Sequence, residues 1–136
     1  MLKKLRQKRA GFTLVEIMIV VAIIALLAAI AVPNFLRSRK RSQATRILED
    51  LRMIDSAVDQ YAIESGLAGG TDVSLDQVKL YIKKGTSLYE TGKSILGGDY
   101  SLATYKVDGT IGTPTGTKDA LSDVAPDEFW SPYTLQ

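Results

Sequence analysis

The hydrophobic pattern changes character once along the chain. From Phe12 to Val32 there are 21 consecutive residues with a single charge, Glu16. Wound as a helix, the run has no polar face, unlike the core helix of a small soluble domain. At ~1.5 Å per residue it is about 31 Å long, close to the ~30 Å hydrocarbon core of a bilayer. The pattern therefore predicts a membrane-spanning helix. Pro33-Asn34 follows, and proline removes one backbone donor and crowds the carbonyl four residues back, which predicts a kink at Pro33. The helical period then resumes in amphipathic form. Ile47, Leu51, Ile54, Val58 and Tyr61 are spaced by 4, 3, 4 and 3, widened by Leu48 and Ala62, with Glu49, Arg52, Asp59 and Gln60 opposite. Ser65-Gly66 is a C-terminal stop. One long helix is expected from about Phe12 to about Ser65, its second half covering a domain.

That domain is expected over residues 66–136, and its elements are short. Leu67–Asp72 reads as a Gly-rich loop, and Ser74-Leu75-Asp76-Gln77 has the spacing of a capping box. A helix from there to Lys84, with Leu75, Val78, Tyr81 and Ile82 on one side, would stop at Gly85. Thr86–Tyr89 reads as a short strand or extended segment. Gly97-Gly98 is a turn signal before the strand Tyr100–Val107, and Asp108-Gly109 predicts a hairpin with Thr110-Ile111 beginning the return. Pro126 opens a short helical turn, and Trp130, Tyr133 and Leu135 dock the tail. The expected fold class is α+β: a long helix packed on a small antiparallel sheet of three or four strands.

Charge changes this picture in two places. Net charge is +2, but Lys3, Lys4, Arg6, Lys8 and Arg9 precede the apolar run and Arg37, Arg39, Lys40, Arg41 and Arg46 follow it. From residue 47 onward there are 7 basic and 14 acidic residues. Because the two basic flanks are equal, the positive-inside rule does not decide the topology. The collar at Arg37–Arg46 suits phospholipid headgroups, DNA or another subunit. DNA has no aromatic interleaving to support it. The order of parts at the N-terminus is also informative. In a secretory signal the small-residue cleavage site follows the apolar run. Here Ala10-Gly11 precedes it, so a cut at Gly11 would remove the basic leader and leave an anchored protein with a new amine on Phe12. Glu16 lies four residues beyond. A carboxylate costs roughly 2.5–3.5 kcal/mol at mid-membrane on insertion scales, and usually faces a partner. The Phe12 amine is the available cation, in the same helix or from a neighbouring subunit.

The stretch Lys8-Arg9-Ala10-Gly11-Phe12-Thr13-Leu14-Val15-Glu16-Ile17 and its continuation through Phe35 resembles the N-termini of type IV pilins and type II secretion pseudopilins. The resemblance implies cleavage between Gly11 and Phe12 by a prepilin peptidase, N-methylation of Phe12, and a filament-assembly role for Glu16. It implies a leader at 1–11, a transmembrane and assembly helix at 12–33, and its amphipathic continuation at 34–65. A single-pass inner-membrane subunit is expected, its C-terminal domain outside the cytoplasm. Its partners would be membrane lipid, an inner-membrane assembly platform and copies of itself in a helical filament in the periplasm or at the cell surface. Gly92–Tyr105 and Asp127–Tyr133 are similar to regions of major pseudopilins, although Asp99 stands where those have proline. With no Cys for the disulfide that closes the C-terminal region of pilins, this favours a pseudopilin over an extracellular pilin. The resemblance also raises a Ca²⁺ site among Asp119, Asp123, Asp127 and Glu128, but their spacing is irregular and metal ligands are not assigned. No cofactor is expected. With neither His nor Cys, no catalytic residues emerge, and a membrane-anchored enzyme is the remote alternative.

Overall fold

A computed structural model describes residues 11–136; the basic leader lies outside the described residues. The chain divides into two compact units, meeting at Leu36 and Arg37. In the first unit, helix α1 (Leu14–Ser65) begins after an extended Gly11–Thr13. Its apolar residues are all open to the surroundings: Leu14 is 77% exposed, Leu26 66% and Phe35 66%. So long an apolar surface calls for lipid or other helices as its solvent. Pro33 sits inside α1 and does not end it. Having no N–H, Pro33 leaves the carbonyl of Ala29 without its helical donor.

The second unit is built on the remainder of α1. Ile47, Leu51 and Ile54 are fully buried, Val58 nearly so, and Glu49, Arg52, Asp59 and Gln60 face solvent. Ala44 and Ala57 extend the stripe, and one charged residue, Asp50, falls on the buried side. The helix closes as expected. Gly66 takes φ +63° and Leu67 N–H bonds back to the Ala62 carbonyl at 2.9 Å, which satisfies an end carbonyl that would otherwise be orphaned.

The rest of the chain wraps the stripe with short pieces. Strand β1 (Asp72–Ser74) pairs antiparallel with β2 (Thr104–Lys106), Val73 opposite Tyr105. Both of these central side chains point into the core, which also holds Leu88, Tyr100, Leu121 and Trp130. Helix α2 (Leu75–Val78) passes into a 3₁₀ turn at Lys79–Tyr81. Gln77 reaches back to accept the Ser74 backbone N–H at 2.8 Å, as the Ser-x-x-Gln spacing requires. Helix α3 (Ser87–Thr91) and helix α4 (Thr117–Leu121) follow, then a 3₁₀ turn at Asp127–Trp130.

Five sequence expectations are corrected. The sheet has two strands among the described residues, not three or four. Thr86–Tyr89 is not extended: Thr86 caps α3, its hydroxyl accepting from Tyr89 N–H at 3.2 Å. The helix opening at Leu75 tightens into a 3₁₀ turn ending at Tyr81, short of Lys84. Tyr100–Val107 is a strand only at its end. Asp99 accepts from the Ser101 backbone N–H at 2.8 Å and its hydroxyl at 2.6 Å, a local turn that competes with strand pairing. Asp108-Gly109 does turn the chain, with Gly109 N–H on the Lys106 carbonyl at 2.9 Å, but no hairpin follows. Ile111–Thr113 pairs instead with the C-terminal tail: Thr134 N–H bonds the Ile111 carbonyl at 3.0 Å, and Thr113 N–H bonds the Thr134 carbonyl at 2.8 Å. The tail is docked as expected, with Trp130 fully buried and its indole N–H on the Ala125 carbonyl at 3.2 Å.

Candidate functional site

Gly11, Phe12, Thr13 and Glu16 form the entry to α1. Thr13 is the residue before the first helical turn, and Glu16 is three residues on. The Glu16 carboxylate accepts the Thr13 backbone N–H at 2.7 Å and the Thr13 hydroxyl at 3.0 Å. In return the Thr13 hydroxyl accepts the Glu16 N–H at 3.2 Å. This is a reciprocal capping box, which satisfies two helix-end donors that an apolar surrounding would leave bare. The Thr-x-x-Glu spacing was available in the sequence and identifies this local partner for Glu16. The carboxylate is held at the helix end, against the positive pole of the helix dipole. Phe12 is 84% exposed, and among the described residues nothing lies within contact distance of a Cβ placed on Gly11.

In the second unit the collar residues differ in their engagement. Lys40 donates to Asp123 at 2.9 Å. That bond, with Arg37 nearby, holds the Asp123 carboxyl below its ordinary range. Arg46 reaches toward Glu49 at 3.8 Å and Asp50 at 3.7 Å. Among the described residues no carboxylate lies within ion-pair distance of Arg37, Arg39 or Arg41. The four acidic positions considered for Ca²⁺ do not gather: Asp123 is committed to Lys40, and no three candidate ligands converge among the described residues.

Asp50 is the polar residue that the helical stripe does not explain. It is 1% exposed, its Oδ2 accepts from the Tyr100 hydroxyl at 3.4 Å, and its Oδ1 has no hydrogen-bond partner. Burial pushes its pKa up, outweighing the attraction of Arg46 and the Tyr100 bond. Tyr100 is raised in turn, chiefly by its own burial and then by the Asp50 charge.

Residues 6–32 match the family model described as the prokaryotic N-terminal methylation motif. A type II secretion system core protein G of Vibrio cholerae is 35% identical over 75 residues, 55% of this chain and 51% of that protein. The protein of the same name from Klebsiella michiganensis is 26% identical over 126 residues, 85% of this chain and 88% of its own length. A fimbrial protein of Pseudomonas aeruginosa is 34% identical over 109 residues, 79% of this chain and 71% of that protein. The chain belongs to the family of type IV pilins and type II secretion pseudopilins. No solved structure matches it. The chain spans about half the length of several curated relatives it matches, the Vibrio cholerae protein among them. In this pilin-family chain the matched motif contains Gly11, Phe12, Thr13 and Glu16, the four residues that form the helix entry. The pilin-like architecture, a long N-terminal helix with a small antiparallel sheet, is present.

Proposed function

We propose that the chain is a structural subunit of a helical filament, and that it serves as a type II secretion pseudopilin. One observation carries the reading. The apolar first unit is exposed along its whole described length, whereas the amphipathic stripe of the second unit is consumed by its own core. Lipid before assembly, and the apolar helices of other copies after it, supply the missing cover for the first unit. The leader at 1–11 is removed by a prepilin peptidase, which cuts after Gly11 and methylates the Phe12 amine. The subunit waits in the bacterial inner membrane with its C-terminal domain outside the cytoplasm. An assembly platform then extracts it into a filament that supports protein export. Glu16 neutralises the new Phe12 amine of an incoming copy, its Thr13 contacts giving way to that charge. Relatives named for type II secretion support the export role.

A second reading, an extracellular type IV pilin, is supported by the fimbrial match covering 71% of that relative. Deletion of the gene separates the two. Loss of exported proteins supports the pseudopilin; loss of surface filaments with export intact supports the pilin. Processing is tested independently with Gly11→Val. The variant is expected to stay inserted in the membrane and to keep its 11-residue leader by mass spectrometry. Normal cleavage of it would refute the assigned site.

A further inference from the structure

We infer that Arg37 and Arg41 form a phosphodiester site for the headgroups of anionic phospholipids in the leaflet that the second unit adjoins. The inference rests on the membrane-inserted state proposed above, and goes beyond it by naming the residues and the lipid chemistry.

Arg37 and Arg41 are one helical turn apart on α1 and so share a face. With Ser38, Asp123 and Val124 they line an open cleft on the surface of the second unit. Asp123 is an acid in this cleft, but Lys40 pairs with it at 2.9 Å. Arg37, Lys40 and Arg41 against Asp123 leave a net charge of +2 at the cleft, with Lys40 the cation bonded to the acid and Arg37 acting on it only through space. Both guanidiniums are exposed and have no carboxylate within ion-pair distance among the described residues. A guanidinium is a planar fork of donors matched to phosphate oxygens, and the Ser38 hydroxyl adds a donor.

Placement along the chain selects lipid over the other phosphates. Arg37 directly follows Leu36, the last residue of the exposed apolar segment. Basic residues next to a membrane span lie within a Debye length of the charged headgroups, where each contributes attraction to an anionic surface. A second copy of the chain, presenting its acidic domain, is the competing occupant. Its arrival requires assembly, whereas the headgroups are beside the collar as soon as the helix is inserted.

The test uses the full chain in neutral-detergent micelles, with backbone amide NMR shifts followed at Arg37–Arg41. The probes are dihexanoylphosphatidylglycerol, dihexanoylphosphatidylcholine and inorganic phosphate, added separately. Saturable shifts are expected with the phosphatidylglycerol, and binding at least tenfold weaker with the other two. Arg37→Gln and Arg41→Gln are each expected to weaken that binding about fivefold, and the double variant about thirtyfold. Arg52→Gln, exposed and about three turns along α1 from Arg41, outside the cleft lining, is expected to leave it unchanged. Equal binding of phosphatidylcholine, or no loss in the double variant, would overturn the inference. Equal binding of inorganic phosphate would reduce the cleft to a general anion site and overturn the lipid assignment. Normal lipid binding with loss of filaments in the double variant would transfer these arginines to subunit contacts. A chain that fails to enter micelles would count against the membrane-inserted subunit itself, a distinct outcome.

Discussion

Replacing Asp50 by Asn is expected to stabilise the second unit at neutral pH and to change how its stability responds to acid. The carboxylate is almost fully buried with one long hydrogen bond, 3.4 Å from Tyr100, and an oxygen with no partner. Arg46 at 3.7 Å gives charge compensation without a hydrogen bond. An unsatisfied buried polar group costs about 1–3 kcal/mol, more when charged. Asn keeps an acceptor for the Tyr100 hydroxyl and removes the charge, and Arg46, partly exposed, rehydrates. Asn brings donors that need partners of their own, so a gain of about 1 kcal/mol is expected, or roughly 4–8 °C in melting temperature for a domain of this size. The sign with pH follows from the raised folded-state pKa of Asp50. Below its unfolded value of 3.8 both states are protonated and the penalty is absent. It grows as pH rises through the folded value, because the native state releases the proton later. Glu49, Tyr100 and Arg46 are the charged and titratable groups facing Asp50, and all remain in the variant. Denaturant titrations of wild type and Asp50→Asn would be run from below the unfolded value of 3.8 up to neutral pH. They would use a fragment beginning at Asn34, which retains every core residue. The advantage of Asn is expected to shrink as the pH falls. A difference that is constant with pH, or an Asn variant less stable at neutral pH, would refute this account of Asp50.

Two further substitutions test the packing of the same unit. Leu51→Ala removes a fully buried side chain from the stripe and is expected to cost about 2–5 kcal/mol, read as a lowered denaturation midpoint; an unchanged midpoint would place the stripe outside the core. Gly98→Ala is expected to destabilise, because a Cβ there would lie 2.6 Å from the Pro114 Cβ, and thermal melting of the same fragment measures it.

The long helix and its buried stripe were legible because the signal is repeated over many turns. Ile47, Leu51, Ile54 and Val58 are each buried as their spacing requires. The domain beyond Ser65 was less legible because its elements are three to five residues long and are decided by single hydrogen bonds. Asp72–Ser74 has one apolar residue, Val73, so no alternation marks it as a strand. At Tyr100 the Asx turn of Asp99 overrode β-propensity, and at Ile111 the distant tail supplied the strand partner. Thr86 shows the same ambiguity: a β-branched residue reads as strand, yet its hydroxyl caps a helix. At the N-terminus, Gly11, Phe12 and Glu16 were singled out by their order along the chain, and they lie within the matched methylation motif. The structure adds Thr13, which turns Glu16 from an unpaired charge into a capped one.

Filament yield from Glu16 variants decides whether the apolar helix is an assembly element with a charge set into it for that purpose. Cells expressing wild type, Glu16→Ala or Glu16→Gln would be compared for assembled filament beside processed, membrane-inserted subunit. Gln retains an acceptor for the Thr13 N–H and can complete the capping box, so it separates the helix cap from the charge. Both variants are expected to be inserted and cleaved at Gly11. Glu16→Ala is expected to lose filaments, because an incoming Phe12 amine would then be buried unpaired in an apolar bundle. Glu16→Gln is expected to assemble at an intermediate level at best. Wild-type filament amounts from Glu16→Ala would contradict the assembly role of Glu16 and, with it, this account of the apolar helix.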